Sequence, residues 1–407
     1  MERYFVLVAS LMLSALAASC EILDDDIDRH TSAIELRDMA RMFSEIPIGL
    51  SHVKEVHSAV LNSSSNGYDE EYTMRHLFLS PGSGVGTQLE DSIQTRVGTG
   101  GNDLRDLIEN YARGLMTKSS DATFSLRMDP ETFLNELQNS DIQIYWPYSD
   151  RWDGETMPII TFDPEDDSSV VNEGYRLDLD ESGRMIVEYV GEVDEQMAKD
   201  GNVWVLNRNN DAGVLSLEML RRMDPDWGNP GGGSIVVRPQ EVGTKADESL
   251  KSLLLKEFTM KRNYDPWFAG ASEFFVKVGY VKNFTASTEA ELRLYNPTVT
   301  DFMIVVKRSQ LGIPQPFNAM LISDWSEQMT QCAFMIIEDD GGTMTEWKTT
   351  ALVRVASKSY GVEISIPVNS RDDNVWRGQL SSAWLDANSN ATAHFGDVDL
   401  VFEVVEY

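Results

Sequence analysis

Two short stretches set aromatic rings beside carboxylates. Tyr145, Trp146, Tyr148 and Trp152 stand with Asp150 and Asp153, and Tyr264, Trp267 and Phe268 stand with Asp265. A sugar stacks its C–H face on such a ring while its hydroxyls bond nearby acids. Trp146, Trp152 and Trp267 are therefore the candidate glycan-binding residues. Rings of this size also make strongly stabilising buried plugs at domain junctions, and packing is the simpler account of both stretches.

Other routes to chemistry find little in the chain. It has no His-Glu-x-x-His, no G-x-S-x-G elbow, no phosphate loop and no dinucleotide glycine pattern. The histidines, His30, His52, His57, His76 and His394, lack ligand spacing. Asp178, Asp180, Ser182 and Gly183 follow the opening of an EF-hand loop, but Tyr189 stands where the bidentate Glu belongs. A hairpin turn over Asp180 to Gly183 explains the same residues. A carboxylate pair for glycoside hydrolysis leaves no motif and stays open among 66 acidic residues.

Charge narrows the partners. Lys and Arg number 34 against 66 Asp and Glu, a formal net charge of −32 in 407 residues. Nucleic acid is not an expected partner, because phosphate binding needs clustered cations. The 42% hydrophobic content is ample for real cores, and the length suits two or three domains.

The N-terminus reads as a targeting segment. Arg3 precedes the apolar run Tyr4 to Leu16, which is too short for a comfortable membrane-spanning helix of ~20 residues. Ala17, Ala18 and Ser19 then lead into Cys20. This run resembles the lipobox of bacterial lipoproteins, although Ala17 stands where the usual Leu belongs. The resemblance implies a signal peptide over residues 1–19, with Cys20 as the lipid acceptor. Glu21, Asp24, Asp25, Asp26 and Asp28 follow closely and are similar to the export tag that carries Bacteroidota lipoproteins to the outer face of the outer membrane. Like charges keep residues 20–29 extended as an acidic tether. The implied location is the outer membrane, lipid-anchored and facing the exterior. Stretches such as IQIYWPYSDRWDG and YDPWFAGASEF also resemble multidomain lipoproteins of that group, a resemblance that carries over no activity. With Cys20 acylated, Cys332 is the second and last cysteine, and its apolar surroundings point to a buried structural thiol.

The elements follow from periodicity. Ser32 and Glu35 fit a capping box ahead of Leu36, Met39, Ala40 and Phe43. Leu50, Val53, His57 and Val60 make a second helical stripe after Pro47. A third helix is expected over Asn102 to Met116, and a short one over Glu131 to Asn139 with Asp129 as cap and Pro130 at its first position. Ser80 to Gly101 reads as a loop. The expected fold class is α+β: a mainly helical domain at 30–140, a β-rich domain at 141–224, a linker at 225–252, and an antiparallel β-sandwich at 253–407. Strands of the middle domain are Ile142 to Trp146, Ile159 to Phe162, Tyr175 to Leu179, Met185 to Val190 and Val203 to Leu206. Those of the last run from Leu253 to Met260 through Glu291 to Tyr295 and Cys332 to Ile337, ending at Val398 to Val405.

In length and strand number the last segment resembles a C2-type sandwich. C2-like domains that bind calcium carry acids on loops at one end, which makes Glu338, Asp339 and Asp340, with Asp372 and Asp373, a candidate calcium set if the two loops share an end. Together these readings imply a lipid-anchored surface protein with a non-catalytic binding role toward a glycan or a cell-surface protein. The alternative is a surface glycan hydrolase with paired Asp/Glu carboxylates.

Overall fold

The structure, a computed structural model, describes residues 34–78, 103–114, 128–165, 169–209, 216, 219 and 250–406. Cys20 with its signal segment and tether, Ser32, Asn102, the whole loop from Ser80 to Gly101 and the Pro225 to Pro239 linker lie outside the described residues. Among the described residues no helix is long and apolar enough to cross a membrane.

Mostly β-sheet with several helices, the chain is α+β and β-rich, and among the described residues all but one of the pairings between strands are antiparallel. It opens with α1 (Leu36–Glu45), α2 (Leu50–Ser65), β1 (Glu71–Thr73) and α3 (Met74–Phe78). Pro47 ends the first helix, since the residue before a proline is pushed out of the helical region. Then come α4 (Asp103–Ala112) and α5 (Pro130–Gln138), the latter capped as expected: Asp129 accepts the Thr132 N–H at 3.2 Å. The next elements are β2 (Ile142–Tyr145), β3 (Ile159–Phe162), β4 (Val171–Leu179), β5 (Met185–Asp194), α6 (Glu195–Asp200) and β6 (Val203–Arg208). These strands form one sheet in the order β1-β2-β6-β3-β4-β5, with β3 parallel to β6.

Strand periodicity assigns the two faces of this sheet. Ile144, Trp146, Trp204 and Leu206 turn to the helices, where they share one cluster with Phe43, Val60, Ile108 and Leu137. One core therefore spans the boundary expected at residue 140. Helices whose apolar stripe has no sheet to cover would be left exposed, so the helical and β-rich segments build a single unit. Tyr145, Val203 and Val205 turn to the other face.

After residue 250 the chain runs through β7 (Lys251–Met260), β8 (Ser272–Val281), β9 (Pro297–Val306), β10 (Gln315–Trp325) and β11 (Met329–Glu338). It continues with β12 (Met344–Val355), β13 (Lys358–Asn369), β14 (Asp373–Ser381), α7 (Ser382–Ala387), β15 (Thr392–Phe395) and β16 (Val398–Glu406). One sheet has the order β10-β7-β16-β15. The other runs β13-β12-β11-β8-β9, with β14 also on β11. Both contribute to one core, with Phe258 against Phe274 at 5.0 Å and Phe334 against Phe402 at 5.6 Å between ring centroids. The strand expected over Glu291 to Tyr295 is instead a 3-10 helix, Glu289–Leu294, with no buried side chain to anchor it as a strand.

Candidate functional site

The segment between β7 and β8 joins the two units. Trp267 and Phe268 leave the sandwich and pack on Tyr145, Tyr148, Val203 and Val205, covering the helix-free face of the first sheet. Burying the Phe268 ring alone contributes about 2 kcal/mol. Polar contacts fix the register of this plug: Asn207 Nδ2 donates to the Phe268 carbonyl at 3.1 Å, Trp267 Nε1 to the Val170 carbonyl at 3.0 Å, and the Ala271 N–H to Asp69 at 2.9 Å.

Those contacts decide the aromatic question. Trp146 is fully buried, and Trp267, though it borders the adjacent cleft, is only 4% exposed. Trp152 is half-buried, set edge-on to Trp146 at 5.4 Å, with its indole N–H given to the Thr156 carbonyl. Trp146 and Trp267 thus serve packing first, as burial of large rings at a junction favours.

Beside the plug lies a cleft of about 1050 Å³. Its walls carry Glu195, Lys199 and Arg208 from the first unit and Asp265, Arg308, Asp340, Arg371 and Asp373 from the second. Arg308 crosses the junction, donating from Nε to Glu195 at 2.8 Å and from a terminal nitrogen to the Asp265 carbonyl at 3.0 Å. Both signs of charge are thus fixed on facing walls.

The two acidic loops of the sandwich do share an end. β14 holds one edge of β11 from Gln331 to Glu338, which lies opposite Asp373, while β12 pairs near Met329 and Gln331 on the other edge. β8 continues that second edge from Ala333, with Phe274 opposite Glu338. The last residue of a strand flanked on both sides has little access to water, and Glu338 is 0% exposed. Neither of its carboxylate oxygens accepts from a nitrogen or hydroxyl donor, and the carboxyl meets that of Asp265. One ligand oxygen each from Asp265, Glu338 and Asp340 lies within 4.8 Å of the others. Burial raises the proton affinity of all three, and Asp265 adds to the rise at Glu338 and Asp340; Asp340 is pushed up to about 7.

The expected five-residue set is thereby regrouped. Asp339 supports its own loop, accepting the Gly341 N–H at 2.9 Å and Asn369 Nδ2 at 3.1 Å. Asp372 accepts the Asn369 N–H at 2.7 Å. Asp373 lies 3.9 Å from Arg262 on the cleft wall. Glu338 and Asp340 remain together, joined by Asp265, which sequence reasoning placed only beside an aromatic cluster. No local spacing links Asp265 to Glu338, because the fold brings them together across separate connections. Cys332 is fully buried in the sandwich core and its thiol is pushed up to about 12 by that burial, so it is a structural residue.

No family model, curated protein or solved structure matches the chain.

Proposed function

We propose that the chain is a lipid-anchored, surface-exposed binding protein whose ligand enters the cleft between its two units. The cleft carries this reading: about 1050 Å³ of space lies where two separately packed cores meet, with fixed charges of both signs on its walls. A polar, charged ligand suits such walls, and ligand sites favour junctions between structural units. Support for the anchor comes from the apolar run Tyr4 to Leu16, the small residues before Cys20 and the acids after it. The net charge of −32 speaks against nucleic acid as the ligand.

Hydrolysis of a glycan is the second reading, favoured by carboxylates that converge beside a cleft. Their spacing argues against it. Paired carboxyls of glycosidases stand ~5–5.5 Å apart when retaining and ~6.5–9.5 Å apart when inverting, whereas this trio lies within 4.8 Å with one member fully buried. Binding of the mature chain to glycan and peptide arrays tests both readings. Binding lost in Lys199→Glu and Arg371→Glu supports the cleft, and binding unchanged in both contradicts it. Release of reducing ends that a single Asp or Glu substitution abolishes would establish the hydrolase.

A further inference from the structure

We infer that Asp265, Glu338 and Asp340 form a binding site for one hard divalent cation at the edge of the junction cleft, with calcium the ion the donor set suits best.

Three observations carry the site. The first is geometry: three carboxylates, delivered by the β7–β8 connection, the end of β11 and the loop after it, converge within 4.8 Å. The second is the state of Glu338, fully buried, with neither oxygen accepting from a nitrogen or hydroxyl donor and its carboxyl set against that of Asp265. A buried charge without a donor costs several kcal/mol, and side chains are not kept in that state without a compensating partner. The third is the placement of nearby cations. Arg262 faces Asp373 and Asp397, and Arg308 gives its Nε to Glu195; the charge of Arg308 favours ionised Asp265 from a distance, but neither arginine pairs with a carboxylate of the trio. Among the described residues no lysine or arginine forms an ion pair with any of the three side chains.

Electrostatics then decides what belongs between them. Two carboxylates ~4 Å apart repel strongly even at an effective dielectric near 20, so the trio holds either protons or a cation. A divalent ion satisfies all three at once and gives the stranded oxygens of Glu338 a partner. The donors are oxygen only, which selects hard ions over zinc or copper. Asp265 and Asp340 also line the cleft, so positions not filled by protein oxygen face solvent there. A ligand carboxylate or hydroxyl in the cleft can reach the same ion. The ion would also tie the connection bearing Trp267 and Phe268 to the end of β11, holding the plug at the junction. The site does not depend on whether the cleft takes a ligand.

The test uses the full chain in detergent after treatment with EDTA and its removal. Calcium chloride, magnesium chloride and manganese chloride are titrated separately by calorimetry, alongside thermal unfolding. One saturable site and an unfolding midpoint that rises with cation concentration are expected. Glu338→Gln keeps the shape and removes like-charge repulsion, so it should fold as well as the parent, bind at least ~10-fold more weakly and lose the midpoint rise. Glu363→Gln, at an exposed position on β13, should bind as the parent does and separates the site from diffuse attraction to an acidic surface. Absence of heat and of a midpoint shift with all three salts overturns the inference, as does binding by Glu338→Gln equal to that of the parent.

Discussion

Asp69 Oδ2 accepts the backbone N–H of Ala271 at 2.9 Å, so a buried carboxyl of the first unit holds the start of β8 in the second. Its other oxygen accepts the Glu70 N–H at 2.6 Å. Burial outweighs both bonds and pushes this acid up to about 7.

A pH dependence follows from that acid. Unfolded, Asp69 titrates near ~3.9; folded, it keeps its proton to about 7. Between those values the native state binds a proton that the unfolded state has lost, so stability falls as pH rises from ~4 to ~7 and levels off above. Asp69→Asn should flatten this slope by on the order of 2 kcal/mol. Urea unfolding at pH 5 and pH 8, with EDTA present, measures it, and an unchanged slope would remove Asp69 as the cause.

Gly270 sits between the plug and Asp69 with φ +145°, and a Cβ there would stand 3.0 Å from Asp69 Oδ2. Gly270→Ala should cost on the order of 1–3 kcal/mol through backbone strain and the close contact. Gly191→Ala, at a position without positive φ and with only a 3.9 Å neighbour, is the comparison. Equal thermal midpoints for the two variants would contradict a strained junction.

Much of the fold was legible where one face of an element is buried. Leu36, Met39, Ala40 and Phe43 announced α1, and Asp180 to Gly183 proved to be the β4–β5 turn, with Asp180 Oδ1 accepting the Ser182 and Arg184 N–H groups at 2.9 Å each. β14 gave no such signal: its side chains are mostly exposed or half-exposed, and only Leu380 is buried. Missing β14 hid the reason that the acidic loops meet, since its pairing with β11 sets Asp373 opposite Glu338. The split at residue 140 failed for a related cause. Composition changes there, yet Phe43 and Trp204 share one core, and a shared core is a tertiary fact. Asp265 likewise needed the path of the chain to find Glu338.

Trp267 tests the plug. Its ring is 4% exposed and its indole N–H is given to the Val170 carbonyl. Trp267→Ala should lower stability by about 3–5 kcal/mol, read from the urea midpoint. A loss below about 1 kcal/mol would mean that the ring is not packed at the junction.

Cys332 should behave as an inert core residue. With the thiol fully buried and pushed up to about 12, iodoacetamide at pH 8 should leave the Cys332 peptide unmodified until denaturant is added. Peptide mass analysis reads the result, and labelling of the native protein within minutes would show the sandwich core to be open.

The cation centre is tested most directly by diffraction from crystals of the full chain grown with calcium chloride. The expected result is a single strong density peak with oxygens of Asp265, Glu338 and Asp340 at ~2.3–2.6 Å, the range for calcium–oxygen bonds. Carboxyl groups in direct contact with one another, with no peak between them at saturating calcium, would contradict it.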